Sequence, residues 1–377
     1  MDTAGTARSA PPPPSGGGPI LWLRENLFSS WTNTALTLLA LWLIYQVVVT
    51  VLGWAVLRAT WVGNDGSACT RHDAGACWPF VGAWFGQFMY GNYPDAELWR
   101  VNLTYFLAAA GLLPLMIPRV PHKLWASLYL LGAFPVLAVV LLSGGVFGLR
   151  HVTTDLWGGL LVTLVISSAG IAAAFPIGVL LALGRQSPMP IVRWASIVFI
   201  EFVRGVPLIT VLFMASVMLP LFLPERWTID KLVRALIMVA LFSAAYLAEV
   251  IRGGLQAIPR GQFEAADALG LSYPQKMGLI VLPQALKIVI PGIVNTFIGL
   301  FKDTSLVLII GIFDLLGMVQ AGSAAQRWLS PETPMTGYVF AGLVFWIFCF
   351  GMSRYSQMLE RRLAAGGDRV VAKAAYD

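Results

Sequence analysis

Four adjacent polar residues, Lys302, Asp303, Thr304 and Ser305, interrupt an otherwise apolar stretch of the chain. A small zwitterionic ligand carries a carboxylate that Lys302 could complement and an ammonium group that Asp303 could complement, while the two hydroxyls fix its orientation. Alternatively, the lysine and the aspartate neutralise each other at a helix interface. The run therefore predicts either a site for a zwitterionic solute or a structural ion pair.

A second pair of charges, Glu201 and Arg204, also lies within an apolar stretch. Residues three apart share one face of a helix, and charges at membrane depth are costly unless they are paired. We therefore expect a structural ion pair between these two side chains near the cytoplasmic end of the helix, with a role as a gate as the alternative. Pro207 is expected to kink the same helix.

The chain shows no arrangement of residues that would catalyse a reaction. It has no Ser/His/Asp, Cys/His or paired-carboxylate pattern, and no phosphate-binding loop of the form G-x4-G-K-[ST]. The three histidines are scattered and no CxxC occurs, so the sequence predicts no catalytic residues and no metal cluster. Cys69 and Cys77 share one polar loop, where we expect a disulfide or two free thiols rather than a weak metal site with His72 and Asp73.

The composition indicates an integral membrane protein. Hydrophobic residues make up 58% of the chain, charged residues only 12%, and the mean hydropathy is +0.75. This charged fraction is about half of that in soluble domains. The net charge of +6 comes from short basic clusters between apolar blocks, which argues for contact with membrane lipid and against nucleic-acid binding. No alternation of period two is seen, so the fold class is all-α rather than a barrel.

Eight apolar stretches approach or exceed the roughly 20 residues that a membrane-spanning helix needs. They are Trp31–Leu57, Val101–Pro118, Leu124–Leu149, Leu156–Gly184, Val192–Leu223, Leu232–Leu247, a seventh that begins near Ile288, and Pro334–Ser353. The region 288–320 is too long for one helix but allows only one crossing. We expect a broken or re-entrant segment there, which is tolerated at membrane depth where it is buried or lines a cavity.

The basic residues set the predicted orientation, because loops rich in Lys and Arg stay in the cytoplasm. They concentrate in alternate loops and in the carboxyl-terminal tail, whereas the first loop, 58–100, is balanced by acidic residues. Both termini are therefore predicted to be cytoplasmic, and the loop of Cys69 and Cys77 is predicted to face the periplasm. The Pro/Gly-rich amino end cannot form a core and is predicted to be a disordered tail.

The cytoplasmic loop 253–287 contains a short helical pattern. Ala265 and Ala266 favour helix, Glu264 lies in the first turn, where a negative charge suits the helix dipole, and Gly270 can end the helix. Small residues at 265 and 266 would let the surface of another protein approach closely. The alternative is an ordinary surface helix between two spans.

This loop resembles the signature loop of bacterial ABC importer permeases. The pattern Glu-Ala-Ala-x3-Gly-x9-Ile-x-Leu-Pro at 264–283 matches it at every defined position. The segments 201–208, 248–254, 291–295 and 302–306 are similar to the polar amino-acid branch of that family, so that the resemblance covers about residues 156–363. The long amino end is similar to that of permeases of general L-amino-acid importers.

The resemblance implies a transporter subunit of the bacterial inner membrane rather than an enzyme, one that moves L-amino acids into the cytoplasm by alternating access. It implies a coupling helix that docks on the ATPase, formed by Glu264, Ala265, Ala266, Asp267 and Gly270, and a substrate pathway at Asn295, Lys302, Asp303, Thr304 and Ser305. The implied partners are a cytoplasmic ATPase dimer, which would bind ATP and Mg, a periplasmic amino-acid-binding protein and a second permease, for which a homologue is favoured over a second copy. This chain itself would hold no cofactor.

The resemblance also implies a domain organisation. A tail (1–30) precedes an extension with three spans (31–150), a five-helix type I core (151–363) and a second tail (364–377). Two rival functions explain less: a secondary transporter leaves the Glu-Ala-Ala loop unexplained and lacks evident inverted repeats, and a membrane enzyme would need a catalytic cluster.

Overall fold

The computed structural model describes residues 18–117, 120, 123–222, 224 and 229–374, and every named element within these ranges is a helix. Most of the predicted amino-terminal tail lies outside the described residues. The helices are α1 (Pro19–Asn26), α2 (Trp31–Leu52), α3 (Trp78–Tyr90), α4 (Leu98–Met116), α5 (Lys123–Leu128), α6 (Phe134–Ser143), α7 (Gly159–Arg185), α8 (Pro190–Gly205), α9 (Leu208–Phe213), α10 (Leu219–Phe222), α11 (Lys231–Gln256), α12 (Arg260–Ala268), α13 (Tyr273–Gln275), α14 (Leu282–Ile288), α15 (Ile290–Asp303), α16 (Leu315–Ser323) and α17 (Glu332–Ala374).

Seven helical segments are long and apolar enough to cross a membrane, and an eighth span results if the bent pair α8 and α9–α10 counts as one. The seven are Trp31–Leu57, Asp95–Met116, Lys123–Ser143, Gly159–Arg185, Lys231–Gln256, Ile290–Ile310 and Glu332–Arg362. The predicted all-α membrane fold is therefore confirmed. The described part of the predicted amino-terminal tail contains the helix α1, and α17 continues to Ala374 within the second predicted tail.

The fifth predicted span is not one continuous helix. Its two halves, Pro190–Gly205 and Leu208–Phe222, meet at an angle of 102°. The bend lies at Val206 and Pro207, whose backbones are extended (φ −106°, ψ 135° and φ −61°, ψ 139°). Proline lacks an N–H and disfavours the helical conformation of the residue before it. The predicted kink is thus a full break of the helix.

The break predicted within 288–320 is present. Helix α15 ends at Asp303, a 3-10 helix continues to Ile310, and the chain then turns at Gly311, whose φ of +72° lies in the left-handed region. Helix α16 begins after this turn. Its first turn is capped by the buried side chain of Asp314, which accepts a hydrogen bond from the backbone N–H of Gly317 (2.9 Å). One crossing followed by a short, separate helix accounts for the excess length.

Helices α7 and α11 form the centre of the core. Helix α7 carries a stripe of small buried residues at a spacing of four, which are Gly170, Ala174, Gly178 and Ala182. A Cβ atom built on Gly178 would lie 2.8 Å from Leu247 Cβ and 3.1 Å from Ala244 O. The backbones of α7 and α11 therefore approach each other as closely as glycine allows. Because lipid is as apolar as the side chains, such close packing is a main source of attraction between helices in a membrane.

The predicted periplasmic loop 58–100 contains an unpredicted helix, α3. Its 13 residues are too few to cross a bilayer, which is why a search for spans passes over them. Phe80 and Phe88 are fully buried and pack against Trp328 and Phe340 of the core, at ring-centroid distances of 5.9 and 5.4 Å. By contrast, α2 has no buried residue.

A disulfide between Cys69 and Cys77 closes the segment before α3, with Cα atoms 5.7 Å apart, as such a bond requires. The hydrogen bonds from the Ser67 side chain and backbone to Asp65 lower the pKa of that carboxyl and cap the short 3-10 helix that holds Cys69. The segment also contacts the far end of the chain, because Arg327 Nε donates to Asn64 O (3.0 Å).

Candidate functional site

Five charged residues meet where the carboxyl end of α7 approaches α8 and α11. Glu249 is the centre of this network: its Oε1 lies 3.1 Å from Arg185 Nη1, and its Oε2 lies 2.8 Å from Arg252 Nη2 and 3.7 Å from Arg204 Nη1. Arg185 also donates to Glu201 Oε1 (2.8 Å). Three arginines face two glutamates, so the network ties three helices together and keeps one excess positive charge.

The predicted ion pair between Glu201 and Arg204 is not formed. Arg204 instead contacts Glu249 and lies over the Tyr246 ring, with its guanidinium carbon 5.6 Å from the ring centroid. Glu201 pairs with Arg185. The rule that residues three apart meet on a helix considers one helix only, whereas the strongest partners here come from neighbouring helices. The network residues Arg185, Glu249 and Arg252 were not predicted, although Glu249 and Arg252 show the same spacing.

Helix α12 and the turn that follows carry the Glu-Ala-Ala motif. At its end the Leu271 N–H donates to Ala266 O (3.2 Å) and the Gly270 N–H donates to Asp267 O (2.9 Å). These two bonds form the Schellman arrangement that ends a helix, which requires a left-handed residue. Gly270 fills this role with φ +72°.

The two alanines of the motif point in different directions. Ala265 is exposed, as are Glu264 and Ala268, whereas Ala266 is fully buried within the chain. In this chain Ala266 therefore presents no exposed side chain to a partner, in contrast to the expectation from its small size. Its small size serves the packing of the loop, whereas the surface available to another protein includes Glu264, Ala265 and Ala268.

The loop is held as one unit on the helices that flank it. Asp267 forms an ion pair with Lys276 (2.6 Å), and Gln284 Nε2 donates to Gln262 Oε1 (3.0 Å). Phe263 packs on a buried cluster that joins α7, α8, α11 and α14 and includes Ala182, Ile200, Ile251, Ile258, Met277, Val281 and Ala285. Helix α12 is therefore attached to several spans through a close-packed cluster, and such clusters deform little.

The predicted substrate residues differ in what they present. Thr304 is buried and its hydroxyl donates to Phe301 O (2.8 Å), while the Ser305 hydroxyl donates to Lys302 O (2.9 Å). Lys302 and Asn295 are exposed and seven residues apart, which places them on one face of α15.

The alternative pairing within this run is also absent. Asp303 is half-buried, and in the part of the chain that the structure describes no ion pair joins it to Lys302. Among the described residues of this region, Asn295, Lys302 and Asp303 therefore have side-chain polar atoms that are engaged by no other residue, and Asn295 and Lys302 are the more exposed of the three. Within the described ranges, no group of three or more His, Cys, Asp or Glu residues is placed to hold a metal ion.

Residues 174–365 match the family of binding-protein-dependent transport system inner membrane components, and the chain belongs to this family. It is thus the inner-membrane permease subunit of an amino-acid ABC importer. Such permeases are non-catalytic, and nucleotide is bound by a separate ATPase.

Three relatives illustrate this likeness. The chain is 54% identical to the inner membrane amino-acid ABC transporter permease protein YhdY of Escherichia coli, over 92% of this chain and 94% of that protein. It is 40% identical to the glutamate/glutamine/aspartate/asparagine transport system permease protein BztC of Rhodobacter capsulatus, over 94% and 95%. It is 33% identical to the L-cystine transport system permease protein TcyB of Bacillus subtilis, over 57% of this chain and 88% of that protein.

Proposed function

We propose that this chain forms one half of a pore that receives amino acids from a periplasmic binding protein and releases them into the cytoplasm. Alternating access of the pore is driven by an ATPase that docks on α12. Both termini and the loop 253–287 face the cytoplasm, and the disulfide loop faces the periplasm. The basic loops support this orientation.

The observation that carries the proposal is how α12 is presented. It exposes Glu264 and the small residues Ala265 and Ala268 on one side, and on the other side Ala266 is buried and the partly buried Phe263 packs on the core. The surface of a partner can approach the small residues closely. Glu264 forms no ion pair with any described residue of this chain, so its charge is available to a partner. Rigid-body movement of the partner would then be passed to the spans.

Reconstitution with the ATPase, the second permease and the binding protein tests this role. Ala265→Trp places a bulky ring on the exposed side and should abolish the stimulation of ATP hydrolysis by liganded binding protein. Ala257→Trp is the matched control, since Ala257 is also an exposed alanine but lies before α12. We expect it to retain stimulation. Ala266→Trp is unsuitable as a docking probe because that side chain is buried, and it should lower the yield of the complex.

The result that contradicts the proposal is full stimulation in Ala265→Trp at normal yield of the complex. Loss of stimulation in both alanine variants would also count against it, because the effect would then not be specific to α12.

The same preparation shows which permease accompanies this chain. We expect a homologue as the second permease. A functional pore made of two identical copies of this chain would contradict that expectation.

For the substrate, we propose that Lys302 binds the carboxylate of the amino acid and that Asn295 contributes a hydrogen bond. The relatives transport amino acids, and BztC is named for acidic residues and their amides. Lys302→Met should raise the substrate concentration needed for half-maximal uptake about tenfold or more, because a charged hydrogen bond contributes roughly 1.5–3 kcal/mol. Thr304→Val is the control, since its hydroxyl is engaged by Phe301. Unchanged uptake in Lys302→Met removes this residue from the pathway.

A further inference from the structure

Two cavities adjoin each other where the extension meets the carboxyl-terminal part of α17. Tyr355 and Leu359 line both of them. Neither cavity includes α12, the charge network or Lys302. The function proposed above therefore leaves them unexplained.

The larger cavity is apolar. It has a volume of about 380 Å³ and lies between α7, α14, α15 and α17. Phe175, Ile293, Phe297 and Met352 are among its lining residues, and Lys287 is the one charged residue there. Apart from Lys287 and Tyr355 the lining residues are apolar, and such a lining suits a hydrocarbon chain better than a polar solute.

The smaller cavity, about 270 Å³, is bordered by two cations, Lys123 from the start of α5 and Arg362 from α17. Lys123 Nζ donates to Leu115 O (2.9 Å). None of Lys123, Arg362 and Lys287 forms an ion pair with any residue that the structure describes. The carboxylate of Glu360, close by in sequence, accepts a hydrogen bond from Ser356 and lines neither cavity.

We propose that the two cavities together bind one anionic phospholipid. The phosphate lies between Lys123 and Arg362, and an acyl chain fills the apolar cavity. Basic pockets between transmembrane helices on the cytoplasmic side select anionic headgroups in this way. A free phosphate or a soluble anion would use the cations but leave the apolar cavity empty, whereas a zwitterionic lipid would leave the cations without a net negative partner.

The site also joins the two parts of the chain, because Lys123 belongs to the extension and Arg362 to the core. A bound lipid would bridge them at the cytoplasmic face. This proposal does not depend on the coupling role of α12 or on the identity of the transported amino acid. The lipid proposal and the transport proposal can therefore fail independently of each other.

The test uses the full-length chain, purified with its accompanying subunits and placed in nanodiscs of equal parts phosphatidylglycerol and phosphatidylcholine. After release into detergent, native mass spectrometry counts the lipids that remain bound. The wild type should retain phosphatidylglycerol in preference to phosphatidylcholine. The Lys123→Gln/Arg362→Gln variant should lose that preference by roughly tenfold to thirtyfold, as removal of two cations near an anionic group predicts.

The matched control is Arg354→Gln/Arg361→Gln, which removes two positive charges from exposed positions of α17 that line neither cavity. It should behave as the wild type. Arg362→Gln alone breaks no hydrogen bond that the structure describes and therefore tests the site even if loss of the Lys123 bond impairs folding. Val294→Phe, which fills the apolar cavity, should reduce the retention of phosphatidylglycerol. Glycerophosphoglycerol, the headgroup without acyl chains, should bind neither to the wild type nor to any variant.

Three outcomes overturn the proposal. In the first, the wild type shows no preference for phosphatidylglycerol. In the second, the preference falls equally in the cavity variants and in the Arg354→Gln/Arg361→Gln control, which indicates general surface charge. In the third, glycerophosphoglycerol alone competes fully with the lipid, which indicates an anion site without a role for the apolar cavity.

Discussion

Replacing Glu249 by glutamine removes one negative charge from the centre of the network that joins α7, α8 and α11. The glutamine is nearly isosteric, so packing is preserved while three arginines lose their shared counter-charge. Only Glu201 would remain, and it contacts Arg185 alone at salt-bridge distance. The excess charge of the cluster rises from one to two.

The size of the effect follows from burial. The Glu249 side chain is 15% exposed, and the side chains of its partners Arg185, Arg252 and Arg204 are 21%, 29% and 35% exposed. Breaking a fully buried pair costs about 3–5 kcal/mol, whereas exposed pairs contribute about 0.2–1 kcal/mol. We therefore expect Glu249→Gln to lower the free energy of unfolding by about 2–3 kcal/mol, a large part of the stability of a typical domain.

Unfolding in mixed micelles, followed by steric trapping of the unfolded chain, measures this change. Glu201→Gln is the control, since its side chain is 53% exposed and has one partner, and we expect a much smaller effect. Adding Arg204→Gln to Glu249→Gln should restore part of the lost stability, because it removes one of the arginines left without a counter-charge.

Equal destabilisation by Glu249→Gln and Glu201→Gln would contradict this expectation, because burial would then not determine the effect. A double variant that is less stable than Glu249→Gln by the full additive amount would contradict it as well. That result would mean that Arg204 stabilises the fold through Tyr246 or the lipid rather than through Glu249.

Three further results are expected, each measurable as a change in the free energy of unfolding. Cys69→Ser should cost about 2.5 kcal/mol, since the disulfide closes a loop with a sequence separation of 8, and reductant should lower the wild type to the same level. Gly270→Ala should cost about 1 kcal/mol because φ is positive there, whereas Gly261→Ala, with open space and no positive φ, should be neutral or slightly stabilising. Gly178→Ala should cost about 1–3 kcal/mol by forcing α7 from α11, while Gly299→Ala, whose Cβ meets no atom within 4 Å, should not.

Hydropathy alone predicted most of the spans, because a helix that crosses lipid must satisfy its backbone internally and cover itself with apolar side chains. The predicted start at Trp31 and the predicted end near Leu57 of the first span agree with the structure. The break between α15 and α16 was also predicted, since the polar run at 302–305 lies within a segment too long for one crossing.

What the sequence could not predict depends on tertiary contacts. Helix α3 is short, and only its burial against α16 and α17 distinguishes it from a loop. The side on which Ala266 points depends on the packing of Phe263 into the core, and the partners of Glu201 and Arg204 come from α7 and α11. Local spacing identified the charged residues of the network in part, but it could not identify which of them meet.

The attachment of the extension to the core also bears on how the protein is made. Trp54, at the end of the first span, donates a hydrogen bond from its indole Nε1 to Glu332 at the start of α17, and the two residues are 278 positions apart. At 5–20 residues per second the ribosome needs roughly 14–56 s to synthesise the chain between them. During that interval α2, which has no buried residue, must remain in the membrane without its partner. Helix α3 must likewise wait for α16 and α17 before its aromatic face is covered. Helix α2 is thus among the last of the described helices to be fixed in place, and the disulfide between Cys69 and Cys77 restrains the segment before α3 during that wait.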